Sequence, residues 1–400
     1  MPSGRKQLLL WIAAALVATA VLTIILIRER QPGQARRALY LTGDPQRGAA
    51  LFYGQKQCSI CHAVNGTGGR IAPDLSATRP GSPAMGWLAT VLWNHAPGMY
   101  RRIRGSQSYP QLNSQEMADL LAFLYQAGNA DRPGDAIVGL QIFESKGCVR
   151  CHAVRGSGGT TAPDLSASAA HGADEWISAM WNHAQSMIGP ITAALGDWPQ
   201  FRDAEMNNLV AYVSGGAKSA AGQAGNAERG WNVFQSRCIA CHAVRGNGGK
   251  VGPELGPERE LPLSASQFAG TFWNHAPDML KAGHEKGITP NLEKGEIADL
   301  LAFLASLRYF EPSGSQFVGQ RVFNDRGCAR CHGAGAEGTQ LGPGIRPRGD
   351  AYTAVSLTTA LWKHGPRMVD LTEELSIPWP TLEAKDIGDL VSFLNGASSR

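Results

Sequence analysis

The chain has almost no charge bias. Its 37 basic and 33 acidic residues leave a formal net charge of +4 over 400 residues. That is too little to hold a nucleic acid by its phosphates, and no basic stripe compensates for it. No pair of carboxylates is set up for acid–base work, and no nucleotide-binding or nucleophile motif is present. A composition of 43% hydrophobic and 18% charged residues excludes a disordered chain. Length alone predicts two to four domains, and 48 Gly with 23 Pro predict abundant loops.

The charge that exists is uneven. Residues 1–43 carry six basic side chains and one acidic, so the remainder sums to about −1. Between those basic residues, Leu8 to Ile27 is a run of 20 residues with no charge and only two Thr. As a helix it spans about 30 Å, the thickness of a bilayer core. The reading is an N-terminal membrane anchor over 1–30, followed by a polar tether over 31–43. A cleaved signal peptide is the rival, since Ala18-Thr19-Ala20 resembles a cleavage site, but apolar Val21 to Ile27 continues beyond it. Basic residues on both sides leave the orientation to other arguments.

The rest of the chain repeats. Cys58, Cys148, Cys238 and Cys328 are spaced by 90 residues, and each opens a Cys-x-x-Cys-His run: Cys58/Cys61/His62, Cys148/Cys151/His152, Cys238/Cys241/His242 and Cys328/Cys331/His332. All eight cysteines are used. A Pro follows each motif His by 11 residues: Pro73, Pro163, Pro253 and Pro343. A Gly and a Phe, one helical turn apart, precede each pair: Gly48/Phe52, Gly139/Phe143, Gly230/Phe234 and Gly319/Phe323. Each unit then has a Trp-x-His-x-x-x-Met run: Trp93/His95/Met99, Trp181/His183/Met187, Trp273/His275/Met279 and Trp362/His364/Met368. Each closes on an amphipathic segment, at 116–124, 205–213, 296–304 and 386–394.

These features predict an all-α chain of four tandem domains, at 44–128, 135–214, 226–309 and 315–397. In each, a leading helix enters the motif, a Gly-rich loop follows, a middle helix precedes the His/Met run, and a last helix closes. The Gly is expected to admit the closing helix, with Phe52 against Phe123 in the first unit. At about 90 residues per motif, each unit is expected to hold its own thin core, like beads on a string.

A Cys-x-x-Cys pair alone also serves zinc and thiol–disulfide chemistry. Zinc needs a second pair within the same fold, and here the next pair lies 90 residues away. A disulfide leaves the recurring His without a role. Two thiols one turn apart can each bond a vinyl group of one haem, with the adjoining His under the iron. The expectation is four covalently bound haem c groups. Haem c is attached outside the cytoplasmic membrane. This implies a single-pass protein of the inner membrane, its N-terminus cytoplasmic and its haem domains periplasmic.

Over about 45–397 the units resemble class I, mitochondrial-like c-type cytochromes. The resemblance implies that His62, His152, His242 and His332 are the proximal iron ligands. It also implies that the carbonyls of Pro73, Pro163, Pro253 and Pro343 hold the His Nδ1–H groups. The family's usual sixth ligand is a Met, here Met99, Met187, Met279 and Met368, 35–37 residues after the motif His. His95, His183, His275 and His364 recur four residues earlier and stand as the alternative. Trp93, Trp181, Trp273 and Trp362 are expected on the porphyrin or in ordinary core; unrepeated His171 and His284 are expected at the surface.

Two protein ligands per iron close the site to substrate and favour electron relay between redox partners over catalysis. The partner is a redox protein or a larger respiratory or photosynthetic membrane complex. The competing reading is a haem enzyme, a peroxidase or small-molecule reductase with one labile sixth ligand. By unit the charge runs +3, −3, −1 and 0, so different units are expected to dock different partners. Unit 4 departs most in its loop, and unit 2 has Gln185 where the others have Pro, which predicts a looser ligand loop there.

Overall fold

A computed structural model describes residues 43–400 except 77–84, 105–108, 132, 168–172, 203, 216–224, 245, 256–263, 289–290, 308–313 and 397–400. The expected anchor, most of the tether and His171 lie outside the described residues. No described helix is long and apolar enough to cross a membrane.

Four helical units are present, each with a leading, a middle and a closing helix. The leading helices are Pro45–Ala50 continued by a π-helical turn Leu51–Gln55, Ala136–Ser145, Ala227–Val233 continued by Phe234–Cys238, and Gln316–Asp325. Each starts on a side-chain cap. Asp44 Oδ1 accepts from the N–H groups of Gln46 and Arg47, Asp135 from those of Ile137 and Val138, Asn226 from that of Arg229 and Ser315 from that of Val318. The closing helices are Ser114–Gly128, Glu205–Val213, Glu296–Ser306 and Asp386–Asn395.

Leading and closing helices cross at the repeated glycine. A Cβ on Gly48, Gly139, Gly230 or Gly319 would overlap the carbonyl of Asp119, Asn208, Asp299 or Asp389 respectively. Only hydrogen fits there. One turn later Phe52, Phe143, Phe234 and Phe323 are fully buried and meet Phe123, Tyr212, Phe303 and Phe393, with ring centroids 5.2–5.6 Å apart. Such pairs add about 0.5–1.5 kcal/mol beyond their buried area. The expected Phe52–Phe123 contact is one of them, at 5.5 Å.

The same residues whose carbonyls back the glycine also tie the cap through their side chains. Asp119 Oδ1 accepts from the Asp44 N–H (2.7 Å), Asn208 from Asp135 (2.8 Å), Asp299 from Asn226 (2.7 Å) and Asp389 from Ser315 (2.7 Å). In units 1 and 3 an Arg joins them, Arg47 on Asp119 and Arg229 on Asp299.

The middle helices differ from expectation. Met85–Ile103, Ala173–Leu195, Ala265–Glu285 and Ala354–Glu374 contain the whole Trp-x-His-x-x-x-Met run rather than preceding it. The Pro97, Pro277 and Pro366 between His and Met sit inside these helices.

The units are not beads on a string. The middle helix of unit 1 packs on that of unit 4, and that of unit 2 on that of unit 3. Units 2 and 3 share one continuous hydrophobic core. Val355 and Trp362 of unit 4 complete the core of unit 1, while Ala89 and Trp93 of unit 1 enter that of unit 4. An 80-residue unit buries too little alone, and pairing extends the core.

Candidate functional site

Each Cys-x-x-Cys-His run forms a tight turn. The His N–H donates to the carbonyl of the first Cys at 2.9–3.0 Å in all four units. The turn is entered through a left-handed residue in three of them, Gln57, Gly147 and Gly327. The first cysteine of each pair packs on the unit's core. Burial pushes the thiols of Cys58, Cys148 and Cys328 up to about 11 and that of Cys238 up to about 12.

The second cysteines sit differently from the first. Cys61, Cys151, Cys241 and Cys331 are half-buried, but none of these four joins a core cluster. Their N–H groups donate to the carbonyls of Cys58, Cys148, Cys238 and Cys328 at 3.2, 3.2, 3.1 and 3.3 Å, which holds the two thiols of a pair on one turn. The difference comes from chain position. The first cysteine closely follows or ends the leading helix and shares its core face, whereas the second stands where the chain leaves for the exposed loop. Each turn thus offers one thiol against the core and one at its margin. No disulfide joins Cys58 to Cys61, Cys148 to Cys151, Cys238 to Cys241, or Cys328 to Cys331. No three His, Cys, Asp or Glu side chains cluster as a metal site among the described residues, so a zinc centre finds no donor set.

The motif histidines are oriented by the chain. His62, His152, His242 and His332 donate Nδ1–H to the carbonyls of Pro73, Pro163, Pro253 and Pro343 at 2.9, 2.9, 2.8 and 2.9 Å. That bond assigns the tautomer and leaves the Nε2 lone pair for a ligand.

The loop between His and Pro is a two-stranded hairpin in units 1–3: Ala63–Val64 with Thr67–Gly68, Ala153–Val154 with Ser157–Gly158, and Ala243–Val244 with Asn247–Gly248. It is clamped by the residue after the Pro, which the sequence reading overlooked. Asp74, Asp164 and Glu254 each accept the N–H of the hairpin's turn Gly, at 2.7, 2.7 and 2.8 Å. The Ser166 hydroxyl and the Gly156 N–H hold the Asp164 carboxyl down to about 2. Unit 4 departs here, as expected. It has a single bridge between Gly338 and Pro343, and Arg346 donates to the carbonyls of Gly335 and Phe393 instead.

The sixth-ligand candidates lie on one face of the middle helix, one turn apart. Met99, Met187, Met279 and Met368 are partly buried and pack against the core cluster that also holds their unit's first motif cysteine. His95, His183, His275 and His364 are exposed. The first three donate Nδ1–H to the carbonyl one turn back: Val91 (2.9 Å), Ala179 (2.8 Å) and Thr271 (2.7 Å). His284 is exposed near a helix end.

The tryptophans do something else. Trp93 Nε1 donates to the Pro380 carbonyl (2.7 Å), Trp362 to that of Pro110 (2.8 Å) and Trp273 to that of Pro199 (2.7 Å), in each case across a boundary between units. The next residue forms a paired clasp: Asn94 with both backbone groups of Leu382, Asn182 with those of Leu292, and Asn274 with those of Phe201. Lys363 stands at that position in unit 4 and has no acceptor to offer. The receiving loop repeats as Pro-x-Leu/Phe, at Pro110, Pro199, Pro290 and Pro380. That recurrence was the sequence signal for a seam.

The helix prolines belong to the same seam. Pro97 and Pro277 have no N–H for the carbonyls four residues back, those of Trp93 and Trp273. These carbonyls accept instead from Trp379 Nε1 (3.2 Å) and Trp198 Nε1 (3.0 Å) of the paired unit, with the Trp rings 4.2 Å apart in both seams. Unit 2 has Gln185 in place of this Pro, so its helix keeps its own N–H, and Thr289 of unit 3 stands where the others have Trp or Tyr. The Pro-to-Gln change therefore concerns the seam, and no ligand loop lies there to loosen.

The four sites fit the group expected from them: a core-packed thiol, a half-buried second thiol and a pre-oriented imidazole on one turn, in each unit. The sequence pattern of the cytochrome c family matches residues 45–128, 137–216, 227–308 and 318–398. No curated protein matches the chain.

Proposed function

This chain belongs to the cytochrome c family as a multihaem c-type cytochrome, and we propose that it is a membrane-anchored, periplasmic four-haem relay passing electrons between redox partners. One observation carries the reading: four imidazoles, each pinned to its Pro carbonyl, within one body of shared cores.

The bound haem supplies a one-electron couple. Cys58/Cys61, Cys148/Cys151, Cys238/Cys241 and Cys328/Cys331 would hold it, and His62, His152, His242 and His332 would be its proximal ligands. Met99, Met187, Met279 and Met368 would be the distal ligands, a reading supported by their packing on the motif-cysteine cluster. A rigid hairpin and a helix-borne distal group change little with oxidation state, which suits fast transfer. Each unit resembles the class I cytochromes in its glycine crossing and Pro-clamped His.

The anchor is read from Leu8 to Ile27, and the periplasmic side from the place where haem c is attached. The donor and acceptor are redox proteins or a membrane complex that contacts exposed haem edges through small, transient interfaces.

The test is made on the purified holoprotein. Mass spectrometry should show four added haems, and all should be low-spin at rest. Electrons injected at less than one per molecule should spread over several haems and pass to a second cytochrome. A high-spin haem that binds cyanide in the resting protein points instead to an enzyme. Deleting residues 8–27 should release the protein from the membrane fraction.

A further inference from the structure

Chain order and spatial order differ in this molecule. Units 2 and 3 share a core, and units 1 and 4 interlock through Trp93, Asn94, Trp362 and Trp379. The two pairs meet between units 1 and 3. Asn226 Nδ2 donates to Asp44 Oδ2 at 2.6 Å, the closing helices of the two units touch, and Ala305 of unit 3 packs on the core of unit 1. The linker from unit 1 to unit 2 also runs over unit 3. Its Asp131 accepts the Ser266 N–H at 2.9 Å and the Ser266 hydroxyl.

We propose that electrons cross the molecule in the order unit 2, unit 3, unit 1, unit 4, as two fast pairs, 2·3 and 1·4, joined by a slower step at the Asp44–Asn226 seam. This rests on the relay reading and adds its route.

The pairs are fast because the middle helix carries both the seam and the candidate distal ligand. Trp93 and Met99 are six residues apart on one helix, about 9 Å along its axis. Two such helices pack on each other in each pair, so the candidate distal residues of paired units are carried on touching elements. Electron tunnelling falls exponentially with separation, so this juxtaposition sets the quickest exchange. The 1·3 seam is built differently. It joins the N-cap residues Asp44 and Asn226 and two closing helices rather than a pair of facing middle helices, and on this route its two sites lie further apart. Units 2 and 4 end the route, and partners meet the molecule there.

Two measurements on the full-length holoprotein test this. Pulsed dipolar spectroscopy of the oxidised protein should give two short inter-haem distances and one longer nearest-neighbour distance. Three similar neighbouring distances overturn the proposal. In the second, flash reduction by less than one electron per molecule should show fast phases followed by one slower exchange. Asn226→Asp sets a carboxylate against Asp44 while keeping a good helix cap. It should slow the late exchange several-fold and leave the fast phases and the haem spectra as they were. If Asn226→Asp leaves the late exchange unchanged, or slows the fast phases equally, the route is wrong. If no redistribution occurs in the unaltered protein, the relay reading itself fails, whatever distances are found.

Discussion

The indole N–H of Trp379 is bonded to the backbone carbonyl of Trp93, 3.2 Å away and 286 positions earlier in the chain. That carbonyl is open because Pro97 cannot serve it from within the helix. A proline that would ordinarily weaken a helix here exposes an acceptor to another unit.

Trp379→Phe keeps an aromatic ring against Trp93 but removes the donor and part of the indole. The stranded carbonyl should cost about 1–3 kcal/mol, read as a lower denaturation midpoint. Adding Pro97→Ala restores an internal donor, so the double variant should recover part of that loss. Additive losses in the double variant would mean that the two groups are not coupled.

Gly139→Ala should destabilise unit 2, because the new methyl meets the Asn208 carbonyl. Overpacking of this kind costs about 1–3 kcal/mol. Gly98 is the control. It is a helical glycine with open space around it, and Gly98→Ala should stabilise by about 0.5–1 kcal/mol. Equal effects at the two sites would remove close helix approach as the reason for the repeated glycine.

Much of this was legible in the sequence. The 90-residue period gave the units, and Gly48/Phe52 with its three copies gave the helix crossing, because close approach admits no other residue. The Pro73 clamp was legible through resemblance. The unlike settings of Cys58 and Cys61 were not, since the motif spells both positions with the same residue. The seam was missed, because the recurring Pro-x-Leu/Phe loop does not say that the loop at Pro380 receives Trp93 from another unit. Trp93 and Asn94 look like any half-buried helix face until the loop that receives them is seen. The helix boundary failed for a related reason. Pro97 reads as a stop, and only the partner unit's Trp379 makes it tolerable. The anchor rests on hydropathy alone.

Acid should loosen the unit 2 hairpin. The Asp164 carboxyl is held down to about 2, first by the Ser166 hydroxyl and then by backbone N–H groups. A depressed folded value means the stabilisation is complete above about pH 4 and is lost as pH falls toward 2. Amide exchange at Gly156 should rise over that window, and Asp164→Asn should abolish the dependence.

Met279→Ala should remove the iron–sulfur charge-transfer band of one haem and alter its potential, since Met/His ligation raises it. His275→Ala should leave that band in place. The reverse pattern would move the distal assignment to His95, His183, His275 and His364.

The interlocked pairs also set a schedule for folding. The 2·3 seam closes between residues 73 to 110 positions apart, the 1·4 seam between residues 252 to 288 apart. Loop closure grows only with the logarithm of length, so the energetic penalty is mild, but the wait is long. A chain emerging N-terminus first shows Trp93 to solvent until its final quarter arrives. Premature termination anywhere before residue 380 would therefore strand the first unit with an uncovered apolar face, making it the part most in need of a chaperone.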